Sequence, residues 1–382
     1  MITVFADKLN RVDKPLIAVI FVLLFVGILT CFSASAPSAK NLMGDSYEFL
    51  KKQLLYGTAG IVLMFWVGSL DYHIFKKYSK AVYIVTLVLM VMTLFMRGYN
   101  GAKRWISFPG FSFQPSELAK ISIIISMAEI LEKKDWKKKI LPHEKMSKLK
   151  RFGINYLDFL KYFLLFVPIA GILALQPHFS CFLIIAAVVV IMIFASGADI
   201  KYFVVSAFAA VPLVIFMAFK ENYRVDRITS FLDPFKDPLG TGYQTVQSLY
   251  AIGSGGLFGL GMGQSRQKYL YLPEPQNDFV FSVLCEETGF IGALVVIILF
   301  MFFVVRGFKI SMTAQDKYGS LLCLGMTALI AVEAFGNIAV VTASIPPTGI
   351  PLPFFSAGGS SLMVMLAGLG VILSVSKYCN TK

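Results

Sequence analysis

Charge is scarce in these 382 residues: 15% are Asp, Glu, Lys or Arg against 57% hydrophobic. That balance leaves too little polar surface for a water-soluble globule and marks a membrane protein. Histidine is rarer still. His73, His143 and His178 lie far apart, and no zinc-type spacing links them. The five cysteines, Cys31, Cys181, Cys285, Cys323 and Cys379, are scattered singly, which excludes a disulfide framework and a paired-cysteine metal site. Alternating polar and apolar residues are also missing, so a lipid-facing barrel is not expected; unbroken runs such as "CFLIIAAVVVIMIFA" favour helices, whose backbone groups are satisfied within the segment.

What is present is a series of long apolar segments. A bilayer core about 30 Å thick needs roughly 20 apolar residues per helix, and ten stretches meet that need: 15–34, 53–70, 79–97, 115–131, 159–176, 179–196, 200–219, 278–305, 318–343 and 358–376. The expected fold is therefore all-α and polytopic, one transmembrane domain over residues 1–382. The first segment follows "DKLNRVDKP" and is not followed by a convincing cleavage site, so it is read as a retained helix.

The net charge of +13 raises the question of nucleic acid, but the placement of the cations answers it. With the N-terminus inside, inner segments hold 22 Lys and Arg and outer segments 12. This asymmetry predicts cytoplasmic N- and C-termini. The densest cluster lies in 132–158, a basic cytoplasmic loop suited to anionic membrane lipids rather than to nucleic acid. The same topology puts 220–277 outside as a large extracytoplasmic loop, along with "RGYNGAKRWISFPGFSFQPSELAK" and "SIPPTGIPLPFFSAGGSS". Function concentrates on loops held by a rigid scaffold, so the outer face is where a site is expected. The apolar Leu257, Phe258, Leu260 and Met262 within the long loop favour partial re-entry beside the bundle over a free surface loop.

Several residues on that face are chemically double-valued. Glu117 and Lys120 share a helical face and can pair, and intramembrane ions usually turn toward a cavity or a partner; alternatively Ser116 caps the helix and Lys120 merely neutralises Glu117. Glu129 and Glu333 read as structural or interfacial. Asp278, preceded by "LPEPQN" with its Glu274, is either an N-terminal cap or a catalytic carboxylate, and the residues alone leave that choice even. Trp105 suits an interfacial anchor, but Lys103 and Arg104 beside it run against the charge pattern and suit a phosphate-bearing ligand. Gly358, Gly359, Ser360 and Ser361 offer amides and hydroxyls to an anion, or close helix packing.

Taken together, "GAKRWISFPGFSFQPSELAK", "LDPFKDPLGTGYQTVQSLYAIGSGGLFGLGMGQS", "YLPEPQNDFVFSVLCEETGFIGAL" and "NIAVVTASIPPTGIPLPFFSAGGSSL" resemble the signature regions of the SEDS family, the shape, elongation, division and sporulation proteins. The likeness spans nearly the whole chain and is strongest to the FtsW and SpoVE branch, with RodA a near neighbour. It implies a ten-helix, outer-face peptidoglycan glycosyltransferase that polymerises lipid II, with a class B penicillin-binding transpeptidase and other divisome or elongasome proteins as partners. The family's essential Asp matches Asp278, its Trp matches Trp105, and its Glu and Lys match Glu117 and Lys120. His178 departs from the pattern, standing where many members carry an acidic residue. Transfer of a sugar onto a 4-hydroxyl needs a base, for which Asp278 is best placed. The departing diphosphate needs positive charge from Lys103, Arg104, Lys120 or a divalent cation, Mg²⁺ or Mn²⁺, for which Asp278 is a candidate ligand. No organic cofactor is expected. Two other readings stand beside this one: a lipid II flippase or transporter, and a non-enzymatic divisome scaffold.

Overall fold

Six helices among the described residues are long and apolar enough to cross a membrane. They belong to a computed structural model that describes residues 12–96, 103–108, 111–136, 148–208, 230–269 and 271–379. Parts of the expected first outer loop (97–102), the basic loop (137–147), the span 200–219 (its end, 209–219) and the long loop (220–229) lie outside these residues.

In chain order the elements are α1 (Lys14–Met43), α2 (Glu48–Ser69), α3 (His73–Leu94), a two-stranded antiparallel hairpin of β1 (Ile106–Phe108) and β2 (Phe111–Phe113), and α4 (Pro115–Glu132). Then come α5 (Lys148–Leu160), a short 3₁₀ turn, α6 (Phe166–Leu175), α7 (Phe179–Ala195) and α8 (Tyr243–Ser254), followed by α9 (Val280–Thr313), α10 (Lys317–Val341) and α11 (Gly359–Ser376). Residues 200–208 are also helical.

Three boundaries differ from expectation for physical reasons. Helix α1 runs nine residues past 34, through Pro37, because Ser35, Ser38 and Ala39 are buried against the bundle and keep the polar end in register. The basic segment 132–158 is not all loop: α5 begins at Lys148 and lays Tyr156 and Phe159 against Tyr202, with ring centroids 6.3 and 5.5 Å apart. Inside 220–277, α8 forms an ordered helix whose Thr245, Val246, Ser248 and Ala251 face the core.

Close helix packing follows from small residues. At Gly60 of α2 an added Cβ would lie 2.6 Å from Leu366 Cδ1 of α11, and at Gly370 of α11 it would collide with the Met64 carbonyl. Helix α10 sits centrally, packed on α9, α4, α7 and α11, and is buried along most of its length. At one end of the bundle His73 bridges Asp71 and Asp316, each at 2.8 Å. The polar motifs gather at the other end.

Helix α9 is broken. Gly289 has φ 71° and ψ −169°, a conformation open only to glycine. The break frees carbonyls and amides that lipid cannot satisfy. The glycine-rich loop supplies their partners: Leu260 N and Gly261 N donate to the carbonyls of Glu286 and Glu287 at 2.9 and 3.0 Å, while Phe290 N and Ile291 N donate to those of Gly256 and Leu257 at 2.9 and 3.2 Å. The loop backbone is thus stitched into α9, roughly 12 Å along the helix from Asp278 at 1.5 Å per residue. Its side chains Leu257, Phe258, Leu260 and Met262 point outward, 63, 79, 38 and 55% exposed, rather than into the bundle.

Candidate functional site

Asp278 stands just before α9 and is half-buried. The N-cap residue of α9 is Phe279, whose side chain makes no cap bond, and Asp278 stands one residue before it. The Asn337 side-chain amide of α10 donates to the Asp278 carbonyl at 2.6 Å and to the Ile350 carbonyl at 2.7 Å. It thereby holds the end of one loop against another. The neighbouring Gly349 has φ 71°, and a Cβ placed there would lie 3.5 Å from Asp278 Oδ2, so the carboxylate lies alongside this turn. A further strut joins the same two loops, Ala357 N donating to the Gln276 carbonyl at 2.7 Å.

Below this mouth lies a buried ionic cluster. Lys120 Nζ is 2.8 Å from Glu117 Oε2 and 2.5 Å from Glu333 Oε1, with side-chain exposures of 5, 12 and 6%. Glu333, expected to be structural or interfacial, is the second acid of this cluster. Glu117 and Glu333 also line a small cavity of about 30 Å³ with Pro351, Leu352, Pro353 and Phe354, room for one water. The cluster and Asp278 are therefore bordered by one loop, 349–354.

Other expected site residues fall differently. Ser116 does not cap α4: Pro115 occupies the first turn, Gln114 is the cap residue without a side-chain bond, and Ser116 Oγ is buried with no partner. Arg104 is committed to protein, donating to the carbonyls of Gln176 (3.2 Å) and Pro177. Gln176 in turn donates to Thr93 Oγ1 at 2.6 Å and the Met90 carbonyl at 3.0 Å. Lys103 is exposed and Trp105 half-buried. Glu274, at φ 44°, shapes a turn: it accepts from Asn277 Nδ2 at 2.7 Å and is exposed. Gly358, Gly359 and Ser360 line a separate cavity of about 340 Å³ with Lys52, Gln53, Tyr56, Ser107 and Ser112. Ala357, beside them, connects that cavity to the Asp278 loop.

His178 opens α7 from the α6 turn. Burial, reinforced by the charges of Arg104 and Lys120, holds its imidazole down at about 3, so it is neutral at pH 7. Among the described residues no group of three or more His, Cys, Asp or Glu converges as a metal-ligand set. Among the described residues, the side chains around Asp278 do not by themselves complete a divalent-cation site.

A second buried cluster went unread in the sequence. Lys268 Nζ donates to Glu287 Oε1 and Ser33 Oγ, both at 2.9 Å, and to the Gly263 carbonyl at 2.7 Å. Glu286 accepts from Ser265 Oγ at 2.5 Å and from Arg266 N at 3.0 Å. Glu286, Glu287 and Lys268 are 1, 2 and 3% exposed. They fasten the loop leading to Asp278 onto α9 and α1. The adjacent acids in "CEETG" were the available signal; their partners, from 19 to more than 250 residues away, were not.

The fold and the site define a multi-pass membrane protein with an acid at the mouth of a bundle and an ion cluster beneath it. The comparisons agree with this class. The FtsW/RodA/SpoVE family model, described as "Cell cycle protein", matches residues 14–381, and the chain belongs to that family. Stage V sporulation protein E of Bacillus subtilis (strain 168) is 40% identical over 97% of this chain and 98% of its own length. A probable peptidoglycan glycosyltransferase FtsW of Geobacter sp. (strain M18) is 40% identical over 93% of this chain and 95% of its own. Among solved structures, a chain from work on "structural coordination of polymerization and crosslinking by a peptidoglycan synthase complex" superposes with TM-score 0.76 at 26% identity, covering 97% of this chain and 99% of that one. RodA of Thermus thermophilus gives 0.66 at 25%, covering 97 and 98%.

Proposed function

We propose that this chain is a peptidoglycan glycosyltransferase that polymerises lipid II at the outer face of the bacterial cytoplasmic membrane, for cell division or sporulation, beside a class B penicillin-binding transpeptidase. Family membership and the names of the relatives support the activity, and the neighbour from a peptidoglycan synthase complex supports the partner. In this reading the whole chain is one transmembrane domain of ten crossings with both termini cytoplasmic. Residues 132–158 face the cytoplasm and 220–277 the outside, as the positive-inside charge pattern supports.

The observation that supports the mechanism is the position of Asp278: half-buried at the bundle mouth, beside the Gly349 turn, two residues before the start of α9. Asp278 takes the proton from the sugar 4-hydroxyl as that oxygen bonds to the anomeric carbon of the second sugar. The lipid diphosphate leaves with the electrons of the broken bond. Both substrates have long lipid tails, so the reacting bond sits at the membrane surface, and a base at the lip meets it there. Lys120 is already balanced by two acids, which assigns it to shaping the pocket with Glu117 and Glu333 rather than to the leaving group. The developing charge falls to Lys103 and to the amides at Gly358, Gly359 and Ser360, where the first turn of α11 offers unpaired N–H groups. Trp105 is assigned to the rim.

Purified Asp278→Asn with its transpeptidase partner is expected to insert and elute as wild type yet form no glycan ladder from fluorescent lipid II. Glycan at the wild-type rate would refute the base assignment. Transbilayer movement of lipid II without polymer from the wild-type chain would instead favour a transporter.

A further inference from the structure

The chain buries Asn337, a full amide, one turn from the C-terminal end of α10 at 0% exposure. A buried polar side chain is costly unless its hydrogen bonds are made, and this one leaves Oδ1 without a partner. What it does satisfy is two main-chain carbonyls, of Asp278 at 2.6 Å and of Ile350 at 2.7 Å. The amide orientation is fixed by these contacts, since the flipped form would set Oδ1 against two oxygens. Neither carbonyl belongs to a helix or strand. Both lie in extramembrane connections separated by about 70 residues, and a single side chain from α10 spans them.

We propose that Asn337 is a positioning residue for Asp278: one amide sets the main chain of the base and that of the 349–350 turn in fixed register, so that the carboxylate stays aligned beside Gly349. This rests on the reading of Asp278 as general base. The arrangement explains why α10 tolerates a fully buried amide near its end. An apolar residue of the same size would pack there without an unsatisfied oxygen, but it would remove the donor that the two carbonyls share and with it the tie between the two loops. A misplacement of about 1 Å at a reacting group costs on the order of a hundredfold in rate.

The test is a pair of variants of near-equal shape, Asn337→Thr and Asn337→Val, which differ in one hydroxyl donor. Glycan formation from lipid II is measured with the transpeptidase partner, separating kcat from KM, alongside hydrogen exchange of the peptide covering 277–283. The Val variant is expected to lose at least about thirtyfold in kcat with KM within about threefold, and its exchange to accelerate in that peptide alone; the Thr variant is expected to recover about tenfold of the loss, the value of one donor worth near 1.4 kcal/mol. If Val fails to fold, Asn337→Ser against Asn337→Ala gives the same comparison. Equal kcat for the paired variants, or a loss confined to KM, overturns the proposal. Wild-type protein that makes no glycan would remove the activity reading, whereas the exchange difference between the paired variants would still decide whether Asn337 holds this segment.

Discussion

Replacing Lys268 with Met should be among the most damaging single changes to stability outside the packed apolar core. The ammonium is 3% exposed and meets Glu287 Oε1, Ser33 Oγ and the Gly263 carbonyl within 2.7–2.9 Å. Removing it leaves the Glu287 carboxylate buried at 2% exposure with a hydroxyl donor from Ser33 at 2.6 Å and one oxygen unpartnered. Breaking such a pair from one side costs about 3–5 kcal/mol, because the surviving charge is stranded. Removing both charges, as Lys268→Met with Glu287→Met, eliminates that stranded charge. The remaining penalty is the loss of partners for Ser33 Oγ, the Ser265 amide and the Gly263 carbonyl, about 1–3 kcal/mol each at most. The double variant is thus expected to be more stable than the Lys268 single variant, a coupling of about 2 kcal/mol or more. Thermal unfolding in detergent measures the ranking; because membrane proteins often unfold irreversibly, the order of midpoints at one scan rate is the readout. A Lys268→Met midpoint within the small range of a surface substitution, or a double variant no better than the sum of its singles, would refute the clamp.

Gly289→Ala is expected to destabilise by about 1–3 kcal/mol or more, since φ 71° disfavours any side chain and the new Cβ would lie 2.6 Å from the Leu257 carbonyl group; unchanged expression and melting would contradict the helix break. Lowering the pH should destabilise the fold through His178. Its folded value of about 3 lies below the unfolded value near 6.5, so the unfolded chain alone binds the proton between them, and stability present above about pH 6.5 falls by up to about 1.4 kcal/mol per pH unit down to about 3. A melting profile of His178→Phe that kept the same acid slope would exclude this group. Arg104→Gln should loosen the 176–177 turn and lower melting more than Lys103→Gln does, because Arg104 alone of the two donates to those carbonyls; equal effects would argue against that anchoring role.

Six of the expected spans were readable from composition, since the helices there meet the length and hydropathy of a membrane crossing. Their ends were not, because polar termini such as Ser35 and Ser38 are retained in α1 by tertiary burial that no local pattern reports. Asp278 and the Glu117–Lys120 pair stood out in the sequence through their own chemistry: an acid after two prolines, and two opposite charges at i and i+3. Ser116 misled because a serine two residues into a helix looks like a cap when Pro115 has already taken the first turn. Glu333 and Lys268 were hidden by distance. Their partners come from other helices, and one sequence records which residues are charged but not which of them meet.

Helix α9 shows why these separate features belong to one design. It begins two residues after the acid at the mouth, carries the adjacent acids Glu286 and Glu287 two turns further in, and breaks at Gly289. A broken helix in lipid and a polar loop at the same depth are each unfavourable alone, since both leave backbone groups without partners. Here each satisfies the other: the carbonyls of 286 and 287 receive the amides of 260 and 261, and the amides of 290 and 291 reach the carbonyls of 256 and 257. The side chains continue the same logic, Glu286 taking Ser265 and the Arg266 amide, Glu287 taking Lys268. The loop that starts at the break therefore leaves α9 anchored and returns to it at Asp278, so the acid is referenced to the same helix at both ends. A loop tethered only at its termini would let the acid wander in the aqueous boundary. Fastened two turns down by the glycine-rich loop and held at its own carbonyl by Asn337, the segment carrying the acid is tied to α9 and α10 at two levels.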